Sequence, residues 1–381
     1  MTLLTTRAID PAERGAWLRL IRTRRVGPHS FWSLLDRFET AQAVLAALPE
    51  LSRQGGAKQP LQPFAADLAE QEYRALRDLG GHLLVAVDAV FPPLLRQIND
   101  PPPVLSVRGN PDLLAKPSVA MVGARNASTN GQRFAAALAQ GLGAEGFSLT
   151  SGLARGIDDA VHKATFEDGL TVAVVAGGVD IVYPREHGEL YQHLIDRAVV
   201  VAEMPLGMQP TARHFPHRNR IIAGIAAATV VVEAAERSGS LITTRYAADF
   251  SREVCAVPGN PLDPRAAGTN QLLRDGAALV CSAQDVLDCL PPLQTLQEPK
   301  TVKTSAQPLT KLADDDVHAA RDSLRKCLGP TPCSIDELFR ECQVPARLGA
   351  AALVELELGG TVERTAGNLV CRLINLAIAG P

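Results

Sequence analysis

The period of the apolar positions changes along the chain and divides it into blocks. Between residues 10 and 80 apolar side chains recur at helical spacing. Trp17, Leu18, Leu20 and Ile21 form one stripe, and Phe31, Trp32, Leu34, Leu35 and Phe38 form the next. Gly27 and Pro28 separate the stripes as a turn does, while Gly55, Gly56, Pro60 and Pro63 mark a loop. Asp100, Pro101, Pro102 and Pro103 make a boundary or a bracing segment. From about residue 116 to 290 short apolar runs take over, at Ser118–Val122, Thr171–Ala176, Ala198–Ala202, Thr229–Val232, Val254–Val257 and Ala278–Cys281. Stretches such as Phe134–Leu142 and Leu241–Phe250 keep helical period between them. Strands apolar on both sides that alternate with helices predict a doubly wound α/β domain with a mostly parallel sheet.

Pro291 to Asp316 is poor in apolar residues and rich in Pro, Gln, Lys and Thr, as flexible linkers are. Order resumes after it. Ser334 followed by Glu337 predicts a capped helix start. A second helix is expected over Ala346–Leu358, stopped by Gly359 and Gly360, before a hairpin of Thr361–Arg364 with Leu369–Leu373. Helix, helix, ribbon is the outline of a small winged helix. The expected domains are a helical domain over 1–85, an α/β domain over 86–290, a linker over 291–316 and a winged helix over 317–381.

Charge narrows the function classes. Lys and Arg number 38 against 41 Asp and Glu, a formal charge of -3, so the whole surface is no nucleic-acid coat. Any binder of polyanions must gather its positive charge locally. The apolar run Ile221–Val232 falls short of the ~18–20 residues that cross a bilayer. Arg7, Asp10, Glu13 and Arg14 interrupt any leader-like start, so no membrane span or secretion is expected. Seven cysteines without a C-x-x-C pair fit a reducing, cytoplasmic setting.

Open α/β sheets bind ligands beyond the carboxyl ends of their strands, and these ends are rich in small and polar residues. The first strand runs into Gly123, Ala124, Arg125, Asn126, Ala127 and Ser128, where glycine admits a phosphate and Arg125 offers a bidentate clamp. The competing reading is a tight βα turn with a solvated arginine. The second strand ends in Ser151, Gly152, Leu153, Ala154, Arg155 and Gly156, a second candidate anion nest. Asp158 and His162, four apart on the following helix, are read as structural rather than as an acid–base couple. Gly177, Gly178, Val179 and Asp180 with Tyr183 and Pro184 form a third end. Ser238, Gly239 and Ser240 open a fourth.

The most informative stretch is Gln209–Arg220, which holds Arg213, His214, Phe215, His217, Arg218 and Arg220. Residues 204–232 and 116–144 contain no acid. Beside the small-residue rim they supply the local positive charge, and Phe215 is placed to stack on a base of a single strand. The competing reading puts Phe215 in the core and one arginine in a loop brace. No P-loop motif is present. The G-x-G-x-x-G at Gly141–Gly146 follows a helix and precedes a strand, the reverse of the dinucleotide context. His214-x-x-His217 lacks a further ligand, so no metal and no cofactor are expected.

Taken together, Val122-Gly-Ala-Arg-Asn-Ala-Ser128, Ser151-Gly-Leu-Ala-Arg-Gly-Ile-Asp158, Gly177-Gly-Val-Asp-x-x-Tyr-Pro184, Phe215-Pro-His-Arg-Asn-Arg220 and Ser238-Gly-Ser-Leu-Ile-Thr243 resemble the DNA-processing protein A family. Ala256–Gly259 and Gly268–Ala277 extend the resemblance through the 116–290 block. It implies a Rossmann-like domain that binds incoming single-stranded DNA during natural transformation, loads the RecA recombinase, cooperates with single-strand binding protein and forms a homodimer, without being an enzyme. It also implies contacts from Arg125, Phe215, Arg218 and Arg220, with Arg213 standing near a lysine of some relatives. The N-terminal block resembles a sterile-alpha-motif-like or helix-hairpin-helix domain, in which Arg19, Arg22, Arg24 and Arg25 are candidate phosphate contacts beside the plainer reading of a solvated helix face. Val317–Pro381 resembles the family's winged helix but carries seven acids and seven bases, with Arg347 against Glu355 and Glu357 on the expected recognition helix. Duplex recognition needs positive charge at the phosphates, so that helix is expected to contact protein or to regulate, and a transcription-factor reading is disfavoured. The remaining rival is a nucleotide phosphoribohydrolase of similar fold. Arg245 stands where those enzymes carry a glutamate, which argues against glycosidic cleavage, and Glu233 is expected to orient a loop.

Overall fold

The computed structural model describes residues 6–291, 312–365 and 368–373, so most of the expected linker lies outside the described residues. The described residues fall into two compact units, one of residues 6–8 with 71–291 and one of residues 9–70 with 312–365 and 368–373.

The first unit is built on a nine-stranded sheet of order β1-β2-β6-β5-β4-β3-β7-β8-β9. Its strands are β1 (His82–Val85), β2 (Val104–Gly109), β3 (Ser118–Val122), β4 (Ser148–Ser151), β5 (Thr171–Gly178), β6 (Val199–Met204), β7 (Ala228–Val231), β8 (Glu253–Ala256) and β9 (Ala278–Leu279). From β6 to β9 every pairing is parallel, while β2 joins β6 and β1 joins β2 antiparallel. The central strands β3, β4, β5 and β7 are buried at every position. Strands β3, β5 and β7 therefore read as apolar runs, whereas β4 is Ser-Leu-Thr-Ser, with Thr150 bonded to Ser118 and Ser151 to Met121 O inside the sheet. Helix α5 (Thr129–Ala144) turns Ala135, Leu138, Ala139 and Leu142 at helical spacing into one cluster with Val119, Met121, Leu149 and Val230. Helices α6 (Ile157–Thr165), α7 (Gly188–Arg197), α8 (His214–Ile225), α9 (Ser240–Asp249) and α10 (Ala267–Arg274) make the other crossovers, and α11 (Ala283–Cys289) follows the last strand. Gly141 and Gly143 lie inside α5, and Gly146 takes φ +88° in the turn before β4, so that glycine triplet ends a helix.

The sheet doubles back at β3, which pairs with β4 on one side and β7 on the other. This is the topological switch point of an open α/β sheet.

The second unit joins the two ends of the chain. Four N-terminal helices, α1 (Pro11–Arg22), α2 (Pro28–Phe38), α3 (Ala41–Gln54) and α4 (Ala66–Asp78), open the chain, the last crossing into the first unit. The winged helix comprises α12 (Asp314–Cys327), α13 (Ile335–Glu341), α14 (Ala346–Gly359) and a sheet of β10 (Cys333–Ser334), β12 (Leu369–Arg372) and β11 (Val362–Thr365) in that order. Ser334 stands at the N-cap position but makes no side-chain capping bond, contrary to the sequence expectation. Strand pairing of β10 to β12 and the bond from Ile335 N–H to Asn368 O hold that helix start instead.

The acids of α14 are consumed inside this unit. Glu355 is 1% exposed and lies between Arg37 Nη1 at 2.9 Å and Arg321 Nη1 at 2.6 Å. Glu357 accepts from Ser30 Oγ at 3.0 Å and pairs with Arg364. Arg25 donates to Leu358 O at 3.0 Å and Arg19 to Phe64 O at 3.0 Å, so two of the candidate phosphate contacts of the helical block are spent on protein carbonyls. A Cβ on Gly55 would stand 1.7 Å from Glu355 O, and one on Gly359 would stand 2.2 Å from Gly55 O. Only glycine permits the ends of α3 and α14 to meet this closely.

Candidate nucleic-acid interface

An open cleft of about 730 Å³ lies beyond the carboxyl ends of β3, β4 and β5. Arg125 and Asn126 reach it from the loop after β3, Gly152, Ala154 and Arg155 from the loop after β4, Gly177 from the end of β5, and Tyr183 and Arg185 from the segment after it. Phe215 and Arg218 reach it from the start of α8. The rings of Tyr183 and Phe215 lie 5.7 Å apart at 57°, and the Arg125 guanidinium sits 5.1 Å over the Phe215 ring. Tyr183 remains 48% exposed. A cation stacked on an aromatic face beside a second, exposed ring is a surface onto which a nucleobase can slide while its phosphate meets the guanidinium.

Arg218 forms the floor. It is 7% exposed, and its guanidinium packs so closely on Gly152 that a Cβ there would lie 1.2 Å from Nη1. Burial, with repulsion from Arg125, lowers the pKa of Arg218 to about 10, against the attraction of Asp158. Its Nε has no partner. Asp158 caps the β4–α6 loop by accepting from Gly152 N–H at 3.0 Å and Ala154 N–H at 3.4 Å. Burial pushes its carboxyl up, opposed by Arg218 and by those N–H groups. His162 lies fully buried beneath the loop, with Nε2 3.3 Å from Leu153 N–H and Nδ1 2.7 Å from Thr171 Oγ1. Asp158 and His162 therefore both serve the loop, the structural role read from their spacing.

Burial, then the neighbouring His187 and Arg218, depress the His162 pKa to about 3. A histidine that titrates near 6.5 unfolded and near 3 folded makes the unfolded chain the better proton acceptor between those values. The first unit therefore loses up to about 1.4 kcal/mol per pH unit as pH falls from 6.5 towards 3, and keeps this contribution in full above 6.5. Asp158, with a raised pKa, titrates in the opposite sense in acid. A His162→Gln variant removes the histidine's share alone, so its thermal melts should change less steeply with pH than those of wild type. Parallel slopes would disprove the assignment.

The other expected contacts are distributed as follows. Gly123 follows β3 at a point where a Cβ would meet Ile157 and the carbonyl of Glu233. Ser128 N–H and Oγ both donate to Glu233, at 2.8 and 2.6 Å, while Ser128 Oγ accepts from Gly131 N–H. An internal carboxylate thus fills the N-terminal seat of α5, at the switch point where open sheets hold dinucleotide phosphates. Ser151 is fully buried and donates to Met121 O. Ser238 and Ser240 bond each other at 2.7 Å, and Gly239 O accepts from Asn219 on α8, so this loop lies beside α8 and does not line the cleft. Arg213 is exposed just before α8 and is also not a lining residue. Arg220 is turned inward, paired with Glu203 and donating to Asp100 O at 3.2 Å. The cleft thus gathers Arg125, Gly152, Phe215 and Arg218 of the expected set, and adds Asn126, Arg155, Tyr183 and Arg185. Asn126, Arg155 and Tyr183 belong to motifs that the sequence places at strand ends, and Arg185 follows the third of them by one residue. Arg155 is paired with Glu186 across the mouth, both of them exposed. Among the described residues no cluster of His, Cys, Asp and Glu could hold a metal, and no helix is long and apolar enough to cross a membrane.

A doubly wound sheet whose switch point is closed by its own carboxylate, with a cationic and aromatic cleft on the β4 side of β3, defines a Rossmann-like nucleic-acid-handling protein rather than a dinucleotide enzyme. Comparison with known proteins narrows the class. The model of DNA recombination-mediator protein A matches residues 82–291, that of the DprA-like N-terminal HHH domain residues 11–75, and that of the DprA winged helix domain residues 306–368. The chain belongs to the DNA recombination-mediator protein A family, and as a member of it is not an enzyme. It is 31% identical to protein Smf of Synechocystis over 93% of its own length and 98% of that protein's. It is 43% identical to the DNA processing protein DprA of Streptococcus pneumoniae over 53% of its own length and 71% of that protein's. The X-ray structure of the S. pneumoniae protein matches with a TM-score of 0.61 at 32% identity, covering 74% of this chain and 99% of that one.

Proposed function

We propose that the chain binds single-stranded DNA in the β3–β5 cleft and acts there as a recombination mediator. Phosphates meet Arg125 and Arg218, with Arg213 near the entrance, and a base stacks on Phe215 or Tyr183. On this reading the protein works in the cytoplasm as a homodimer, protects incoming DNA during natural transformation, loads RecA recombinase and cooperates with single-strand binding protein. The observation that carries it is the stack of Arg125 on Phe215 beside Tyr183, over the buried cation Arg218. A base in a duplex is already stacked on both faces, so such a platform favours an open strand. Membership of a recombination-mediator family and its relatives' DNA-processing names support the same direction.

Fluorescence anisotropy with an oligothymidine and a duplex of equal length tests the reading. The single strand should bind more tightly, with log affinity falling against log salt by about 0.7 for each phosphate neutralised. Arg125→Ala should shallow that slope by about 0.7 and weaken binding about tenfold. Equal affinity for the duplex, or an unchanged slope, would refute the assignment. The mediator role predicts faster RecA filament nucleation on strands coated with single-strand binding protein, and no acceleration would remove it.

A further inference from the structure

The β4–α6 loop is held from beneath by two histidines. Leu153, fully buried, takes the left-handed conformation at φ 55°, an expensive choice for a leucine. Both of its peptide groups are gripped: its N–H donates to His162 Nε2 at 3.3 Å, and its C=O lies 3.2 Å from His187 Nδ1. Thr171 sets the tautomer of His162. Its single hydroxyl proton goes to Leu149 O at 3.2 Å, so Oγ1 accepts from Nδ1–H and leaves Nε2 bare to accept from Leu153. The residue before Leu153 is Gly152, against which the Arg218 guanidinium is seated.

We propose that His162, held by Thr171 as its Nδ1–H tautomer, is a positioning residue of the nucleic-acid cleft, fixing Leu153 and so the Gly152 surface that seats Arg218. The inference rests on the single-strand reading above, and it adds a residue that does not itself line the cleft. His162 acts through backbone, so any side chain that accepts from Leu153 N–H and donates to Thr171 can replace it. Glutamine has both functions; leucine has the bulk and neither.

The test is carried out on the full chain with an oligothymidine. His162→Leu should fold, yet lose about tenfold or more in affinity. His162→Gln should recover to within about threefold of wild type. Nitrogen-detected NMR of the histidine rings should show His162 with a protonated Nδ1 and a bare Nε2, unchanged from pH 8 to pH 5. Thr171→Val, which keeps shape and removes the acceptor, should lose several-fold in affinity and disturb that ring pattern, so the inference remains testable if His162→Leu does not fold. A folded His162→Leu that binds as wild type does, a glutamine variant no better than leucine, or a protonated Nε2 at neutral pH would overturn it. Wild-type protein that binds no single strand would overturn the single-strand reading as well, which separates the two failures.

Discussion

Glu355→Ala should unfold the unit formed by the two chain ends at a temperature on the order of 10 °C below wild type. Glu355 is a nearly inaccessible acid shared by two arginines, with side-chain exposures of 13% for Arg37 and 9% for Arg321. Removing it leaves two guanidinium groups largely out of water with only exposed acids for counter-charge, Asp314 at 2.7 Å from Arg37 and Asp322 at 4.0 Å from Arg321. Breaking a buried ionic group from one side costs roughly 3–5 kcal/mol, mostly as the penalty on the partners left behind. Deleting all three charges together is a different experiment, because desolvation is relieved along with attraction. Glu355→Leu with Arg37→Met and Arg321→Met should therefore recover most of the loss. The measurement is selective: both tryptophans of the chain, Trp17 and Trp32, lie in this unit, edge-to-face with each other at 5.4 Å. Their fluorescence reports its melting separately from the sheet. A melt unmoved by Glu355→Ala, or a triple variant worse than the single one, would show that the triad does not hold the unit together.

That triad also marks where sequence reasoning runs out. Its members are 318 and 34 residues from Glu355 along the chain, and no local pattern joins them. Counting charges on the winged helix finds its acids but not that they face inward. The parallel strands β3, β5, β6 and β7 were legible for the opposite reason: burial on both faces forces apolar runs, and the intervening helices keep their own period. The strands β1 and β2 were not. They precede that alternation, and the prolines at 101–103 that lead into β2 read as a boundary. The site shows the same division. The motif from Phe215 to Arg220 announces cationic and aromatic chemistry, yet helical spacing puts Arg218 on the buried side with His214 and Ile222. Its charge is tolerated there because Asp158, sixty positions earlier, lies across the floor. Arg220 finds Glu203 in the same way. An acid-free stretch of sequence is thus not an acid-free neighbourhood, and the cleft keeps fewer free cations than the motif advertises. Ser128 makes the point for helix N-termini: the sequence offers this loop to a phosphate, and the protein's own Glu233 accepts from Ser128 there.

Gly152→Ala should damage single-strand binding as severely as Arg218→Ala, by roughly 10- to 100-fold, although alanine adds one methyl group. The new Cβ would lie 1.2 Å from Nη1 and 2.3 Å from Cζ of Arg218, so the guanidinium must leave its seat. Leaving its seat takes the guanidinium away from Asp158, whose charge favours its own. Displacement strands that buried carboxylate and removes the floor cation at once. The two substitutions act on one interaction, so the double variant should be little worse than either single one, a non-additivity that independent defects do not produce. Gly188→Ala, at a helical position with open space around the site of its Cβ, is the control for a glycine replacement and should bind as wild type. Losses that simply add in the Gly152 and Arg218 double variant, or a Gly152→Ala protein of undiminished affinity, would mean that the strand does not depend on the buried arginine, and would leave Arg125 and the aromatic pair as the whole of the site.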